Sequence, residues 1–141
     1  MKNFMDDQDF LLSTKTGEEL FHNFAKGMPI VDYHCHISPK EIWDDKRFEN
    51  ITEVWLGGDH YKWRLMRANG VDERFITGDA PAREKFQKWA ETLGRCVGNP
   101  VFEWSHLELK RYFGYEGVLN GKTAQEVWDL ANAKLAEASF T

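Results

Sequence analysis

Residues 28–39 read Met28-Pro29-Ile30-Val31-Asp32-Tyr33-His34-Cys35-His36-Ile37-Ser38-Pro39: a short apolar run, an acid, two histidines, then a helix start. In a strand, side chains alternate faces and the backbone rises about 3.3 Å per residue, which sets His34 and His36 on one face about 6.6 Å apart. Two imidazoles at that separation can converge on one cation, and neutral imidazole suits zinc and neighbouring transition metals. Asp32 falls on the same face. Cys35 falls on the other and is expected to pack rather than to ligate. The spacing alone is a weak signal, because with 5 His in 141 residues chance supplies about 0.17 His-x-His pairs. The plain alternative is two polar residues at a strand end. Context favours the metal: Pro29 precedes the run, apolar residues fill it, and Ser38-Pro39 starts a helix straight after it.

Composition describes a globular chain. Hydrophobic residues make up 42% and charged residues 29%, without low-complexity tracts, so disorder is excluded as the general state. The formal net charge of -5, with Lys and Arg interleaved among acids, argues against nucleic acid as a partner. No apolar run approaches the roughly 20 residues needed to span a bilayer. Cys35 and Cys96 have no framework spacing, and no apolar leader opens the sequence, so a cytoplasmic setting is expected. With 6 Trp and 10 Phe the chain has large aromatic areas to bury, in a packed helical surface or against a missing partner.

Along the chain the signals are mostly helical. Residues 1–15 read as an extended lead-in. Thr16-Gly17-Glu18-Glu19 has the form of a capping box, predicting a helix over 17–26 with Leu20, Phe21 and Phe24 on its buried face, stopped by Gly27 and Pro29. His22 reads as an ordinary histidine. Ser38-Pro39-Lys40-Glu41 predicts a short helix to about residue 45. A single turn is expected over 52–56. Asp59 caps the next helix, which carries His60, Tyr61, Trp63, Arg64, Leu65 and Met66 and ends near Asn69-Gly70. Phe86, Trp89, Ala90 and Leu93 fall at i, i+3, i+4 and i+7 and predict a core stripe over 82–93. Asn99-Pro100 opens a helix with Phe102, Leu107, Tyr112 and Phe113 apolar and Gly114 after it. Thr123-Ala124-Gln125-Glu126 reads as a further capping box, opening a helix with Val127, Trp128, Ala131 and Leu135.

This amounts to about six helices and one strand. A strand that ends in metal ligands and feeds a helix is the grammar of a parallel sheet or barrel, with sites at the C-terminal strand ends. A lone buried strand would leave its backbone groups unpaired. The chain therefore reads as the opening of a larger α/β fold. The ligand count points the same way, since a catalytic zinc typically has three protein ligands. His34 and His36 supply two. His60 and His106 are candidates for a third, but each lies on a helical pattern without a second ligand at i+4.

The run Asp32-Tyr33-His34-Cys35-His36-Ile37-Ser38-Pro39-Lys40-Glu41 closely resembles the uronate isomerase family, also called glucuronate isomerase. So do Gly58-Asp59-His60-Tyr61-Lys62-Trp63-Arg64, Met66-Arg67-Ala68-Asn69-Gly70-Val71, Ile76-Thr77-Gly78-Asp79-Ala80, Gly98-Asn99-Pro100 and Trp104-Ser105-His106-Leu107-Glu108-Leu109. The resemblance covers nearly the whole chain. It implies the amidohydrolase superfamily and a distorted (β/α)8 TIM barrel in proteins roughly three times this length. On that resemblance residues 1–27 are a lead-in and first helix, 28–37 the first barrel strand, and 38–141 a helical insertion, all in one barrel domain. The later strands, including the one whose aspartate completes the metal site, are expected in a C-terminal barrel segment that this chain lacks.

The resemblance also implies an activity: interconversion of D-glucuronate with D-fructuronate and of D-galacturonate with D-tagaturonate, in hexuronate catabolism. Such aldose-ketose chemistry moves a proton between C2 and C1 and needs a base, an electrophile and a cationic clamp for the carboxylate. By resemblance His34 and His36 bind a divalent metal, most simply Zn2+. Tyr61 is the expected catalytic hydroxyl with His60 behind it, and Arg64 the expected contact to the substrate carboxylate. Packing roles for Tyr61 and Trp63, and an ion pair for Arg64, are the plainer readings. The expected partner is a small hexuronate, with neither nucleic acid nor membrane, and a homo-oligomer is left open. The sequence leaves two other functions open: a metal-dependent hydrolase of the amidohydrolase or histidinol-phosphatase type, and a non-catalytic helical module. A fragment of this length is expected to be inactive alone.

Overall fold

Several helices of this chain begin where a short polar side chain takes the first free amides, at Thr14, Asn50, Asp59 and Asn99. The computed structural model describes residues 8–137, which form seven α-helices. The chain divides into two units, Met1–Asp44 and Asp45–Thr141.

In the first unit, residues 8–11 form a turn in which the Leu12 amide donates to the Asp9 carbonyl at 3.0 Å. This part of the lead-in is thus bent rather than extended; residues 1–7 lie outside the described residues. Helix α1 spans Lys15–Asn23. It starts two residues before the expected position because Thr14, not Thr16, is the cap: its Oγ1 accepts from the Gly17 amide at 3.0 Å. A 3-10 turn, Ala25–Gly27, follows. After residues 28–37 comes α2, Pro39–Trp43, with Ser38 at its N-cap and Pro39 in its first turn.

Once the Met28 amide has closed the 3-10 turn on the Ala25 carbonyl at 3.1 Å, residues 29–37 have neither helical nor strand conformation, and no strand forms among the described residues. A strand exists only as part of a ladder, so a segment without a neighbouring strand stays irregular whatever its sequence. The expected apolar face of α1 is also unburied: Leu20, Phe21 and Phe24 are 56%, 39% and 66% exposed. Cys35, expected to pack, is exposed.

The second unit holds α3 (Ile51–Leu56), α4 (His60–Ala68), α5 (Ala82–Leu93), α6 (Pro100–Glu108) and α7 (Ala124–Leu135). Helix α5 is its centre and packs against α3, α4 and α7. The predicted stripe Phe86, Trp89, Ala90 and Leu93 is fully buried, each larger member contributing about 1.5–3 kcal/mol. Phe86 lies between Trp55 (ring centroids 6.2 Å apart) and Trp128 (5.6 Å). Polar links cross the helices: the Ile51 amide donates to Asn132 Oδ1 at 2.9 Å, and Thr52 Oγ1 to the Ala82 carbonyl at 2.7 Å.

Two expectations fail locally. Thr123 does not cap α7 with its side chain. Its hydroxyl instead donates to the Val118 carbonyl at 2.8 Å and accepts from the Asn120 amide at 3.0 Å, closing the preceding loop. After α6 the chain widens into a π-helical turn, Leu109–Phe113, which buries Leu109 and Phe113 and leaves Tyr112 62% exposed. Gly114, at φ 72°, ends that turn in the left-handed conformation glycine tolerates best, and the Tyr115 amide closes it on the Leu109 carbonyl at 3.0 Å.

Candidate active site

His34 and His36 come together in the first unit although the strand around them is not formed. Their Nε2 atoms are 3.1 Å apart, with ring centroids at 5.1 Å and planes at 73°. The local chain is steadied by the His34 amide, which donates to Asp32 Oδ1 at 3.2 Å. At this distance one Nε2–H can donate to the other ring, whereas a cation would take a lone pair from each. Two nitrogens bound to one zinc at tetrahedral angles are about 3.4 Å apart, so the pair fits two positions of such a site. Among the described residues no group of three or more His, Cys, Asp and Glu gathers. What the described residues provide is a pair.

His106 is not a third ligand. It is 1% exposed, and both ring nitrogens are used inside the second unit. Its Nδ1 lies 2.6 Å from the Phe102 carbonyl, which can only accept, so Nδ1 carries the proton. Nε2 is then the acceptor for the Leu119 amide at 2.9 Å. Burial pushes this imidazole below its usual range, against the opposing pulls of the Phe102 carbonyl and Glu103. It is a neutral structural histidine. His22 pairs with Asp9 at 2.9 Å, in keeping with an ordinary role.

The other three predicted site residues lie together at the start of α4. The His60 and Tyr61 rings are tilted by 30° with centroids 4.4 Å apart, and the Arg64 guanidinium carbon is 5.9 Å from the Tyr61 ring. Tyr61 is 52% exposed, which sets aside its reading as a core aromatic. Trp63 is partly buried and ties α4 to α3 through its Nε1, which donates to the Leu56 carbonyl at 2.7 Å.

Asp59 builds this helix start. Its Oδ1 accepts from the Tyr61 and Lys62 amides at 2.9 and 3.2 Å, while Oδ2 accepts from Lys62 Nζ at 2.6 Å. Burial raises the pKa of this carboxyl, but the Lys62 ammonium and the two amides outweigh it and leave the pKa below the usual value. The Lys62 side chain is only 11% exposed and its Nζ is 5.9 Å from the Trp55 ring. Trp55 in turn donates from Nε1 to Glu108 Oε2 at 2.7 Å. Sequence reading finds Asp59 as a cap but misses Lys62 and Glu108; the only hint was the i, i+3 spacing of Asp59 and Lys62. A cleft of about 200 Å³ lined by Asn50, Glu53, Leu56, Ile76 and Lys85, among others, contains none of the predicted site residues.

All 141 residues match the model of the family described as glucuronate isomerase. The uronate isomerase of Lachnospira eligens is 70% identical over 141 residues, which are 100% of this chain and 30% of that protein. That of Endomicrobium trichonymphae is 63% identical with the same coverage, 100% of this chain and 30% of the relative. The chain thus spans about 30% of the length of these curated relatives. The crystal structure of uronate isomerase from Thermotoga maritima superimposes with a TM-score of 0.84 at 42% identity, over 91% of this chain and 28% of that one. For the glucuronate isomerase of Caulobacter crescentus the TM-score is 0.74 at 25% identity, over 82% of this chain and 26% of that one. With the family matched along its whole length and two solved members sharing its backbone, the chain belongs to the glucuronate isomerase family.

Proposed function

We propose that the protein carrying this chain is a uronate isomerase that interconverts D-glucuronate with D-fructuronate and D-galacturonate with D-tagaturonate. The observation that carries this reading is the family match over every residue of the chain. The grouping of His60, Tyr61 and Arg64 on α4 supports it with a phenol, an imidazole and a guanidinium within one substrate's reach of each other. In this reading residues 28–37 are the first strand of a (β/α)8 barrel of the amidohydrolase superfamily, in a cytoplasmic enzyme of hexuronate catabolism.

His34 and His36, whose Nε2 atoms lie 3.1 Å apart, would hold a divalent metal, most simply Zn2+. The chemistry that such an ion would supply there is Lewis-acid polarisation of sugar oxygens. Tyr61 places its hydroxyl at the reacting carbons, where a proton leaves C2 and returns at C1, and His60 lies behind the phenol and orients it. Arg64 grips the substrate carboxylate, a task for which a planar guanidinium is suited.

The test is turnover of D-glucuronate by a polypeptide of the relatives' full length that carries this sequence. The expected result is a ketose product that vanishes in Tyr61→Phe and His34→Ala. Absence of any ketose product overturns the reading.

A further inference from the structure

From the packing around α4 we infer that Lys62 and Asp59 are a positioning pair, holding the Tyr61 backbone, and with it the phenol, in place for the reaction. The inference rests on the proposed role of Tyr61. Its structural basis is a continuous path from core to site. Phe86 of α5 is fully buried and stacks on Trp55 of α3, at 3% exposure. Lys62 Nζ lies 5.9 Å from the Trp55 ring and is bonded at 2.6 Å to Asp59 Oδ2. The second oxygen of the same carboxylate takes the Tyr61 amide at 2.9 Å.

A surface ion pair could not do this, because exposed pairs give up their geometry to solvent and side-chain entropy. Lys62 differs in being 11% exposed, with its ammonium held between a carboxylate and an aromatic face. A carboxylate bonded on both oxygens has little freedom to rotate. Its oxygen toward the Tyr61 amide is therefore fixed by the lysine on the other side. Because Asp59 occupies the first amides of α4, the positive end of this helix is already answered by a protein carboxylate. Arg64, outside this network in its guanidinium contact with Tyr61, is left to meet the substrate. Lys62 and Asp59 act through Tyr61; neither is placed as a catalytic residue.

Three variants test the pair. Lys62→Met keeps the apolar stem and removes the ammonium, Asp59→Asn keeps the Oδ1 acceptor and removes the charge, and Lys62→Arg restores a cation. In this chain the amide of Tyr61 is expected to exchange with solvent about tenfold faster in Lys62→Met and in Asp59→Asn, and close to the original rate in Lys62→Arg. In the full-length polypeptide kcat is expected to fall about 10- to 100-fold with KM nearly unchanged, with partial rescue in Lys62→Arg. The double variant is expected to lose little more than either single one. A lowered melting temperature with kcat and Tyr61 exchange unchanged means mere packing and overturns the inference. Tyr61→Phe is the control: if it is fully active, the proposed role of Tyr61 fails and the inference with it. If Tyr61→Phe is inactive while Lys62→Met is fully active, the site stands and only the positioning pair is overturned.

Discussion

The two units of this chain divide its assets unequally. Among the described residues of Met1–Asp44 none is buried, and Ile30, Val31 and Tyr33 are 94%, 82% and 96% exposed. Among the described residues, all the buried hydrophobic ones belong to Asp45–Thr141. Yet the first unit carries the histidine pair. The contrast follows from where backbone hydrogen bonds can be made. A helix satisfies its own amides and needs only one apolar stripe covered, which helices within the same hundred residues can do. A strand depends on a partner beside it, and no strand forms among the described residues.

The largest effect that could break this comparison is a matched pair of truncations. Phe86→Ala should destabilise the second unit by about 3–5 kcal/mol, read as a lower denaturant midpoint. Phe21→Ala, at a residue 39% exposed, should cost under about 0.5 kcal/mol. Similar losses would mean that the first unit has a core of its own.

Next in size is His106→Leu, which leaves the buried Leu119 amide without its acceptor at a cost of about 1–3 kcal/mol. The same histidine gives a pH signature with a definite sign. Its folded value is depressed by burial, so the unfolded chain takes up the proton first, near its ordinary value of about 6.5. Its contribution is complete above that pH and is lost as pH falls toward the lower folded value. Melting curves between neutral and mildly acidic pH should show this decline, and His106→Leu should flatten it. An unchanged slope would show that another group is responsible.

Caps sharpen the contrast further. Asn50 caps α3 by accepting from the Glu53 amide at 3.0 Å, and Asn50→Ala should cost about 1 kcal/mol. Thr14→Ala removes the equivalent bond from α1, where helicity should fray without moving the main transition. The smallest expected effect is that of metal. Zinc added to the chain should shift the ring resonances of His34 and His36, and His34→Ala should abolish the response. The melting transition of residues 45–141 should stay where it is, since a ligand stabilises only what unfolds with its site. A rise in that transition would join the two units into one cooperative structure.

The legible parts of the sequence were those whose physics is local. The stripe of α5 was readable to the residue because Phe86, Trp89, Ala90 and Leu93 recur at helical spacing and are all at 0% exposure. Asp59 and Gly114 are readable because a cap needs a short polar acceptor and a left-handed turn favours a residue without a Cβ. Thr123 was misread: its hydroxyl had a competing choice between its own helix and the loop before it, which no pattern reveals. The spacing of His34 and His36 was legible, while the strand meant to present them depends on chain pairing that local pattern does not supply. Lys62 is not legible in the sequence because its contacts with Trp55 and Asp59 are a matter of tertiary placement.

The tryptophans turn the division of the chain into something optical. Of the 6 Trp, Trp43 alone belongs to the first unit and is 88% exposed, whereas Trp89 in the second is at 0%. Emission from Trp43 should be red-shifted and open to iodide quenching, and that from Trp89 blue-shifted and shielded. Replacing Trp43 by Phe would remove the reporter of the histidine-bearing unit and leave the spectrum of the helical core. The chain thus contains a built-in fluorophore five residues past Ser38, close in sequence to His36, whose environment registers whatever comes to cover that segment.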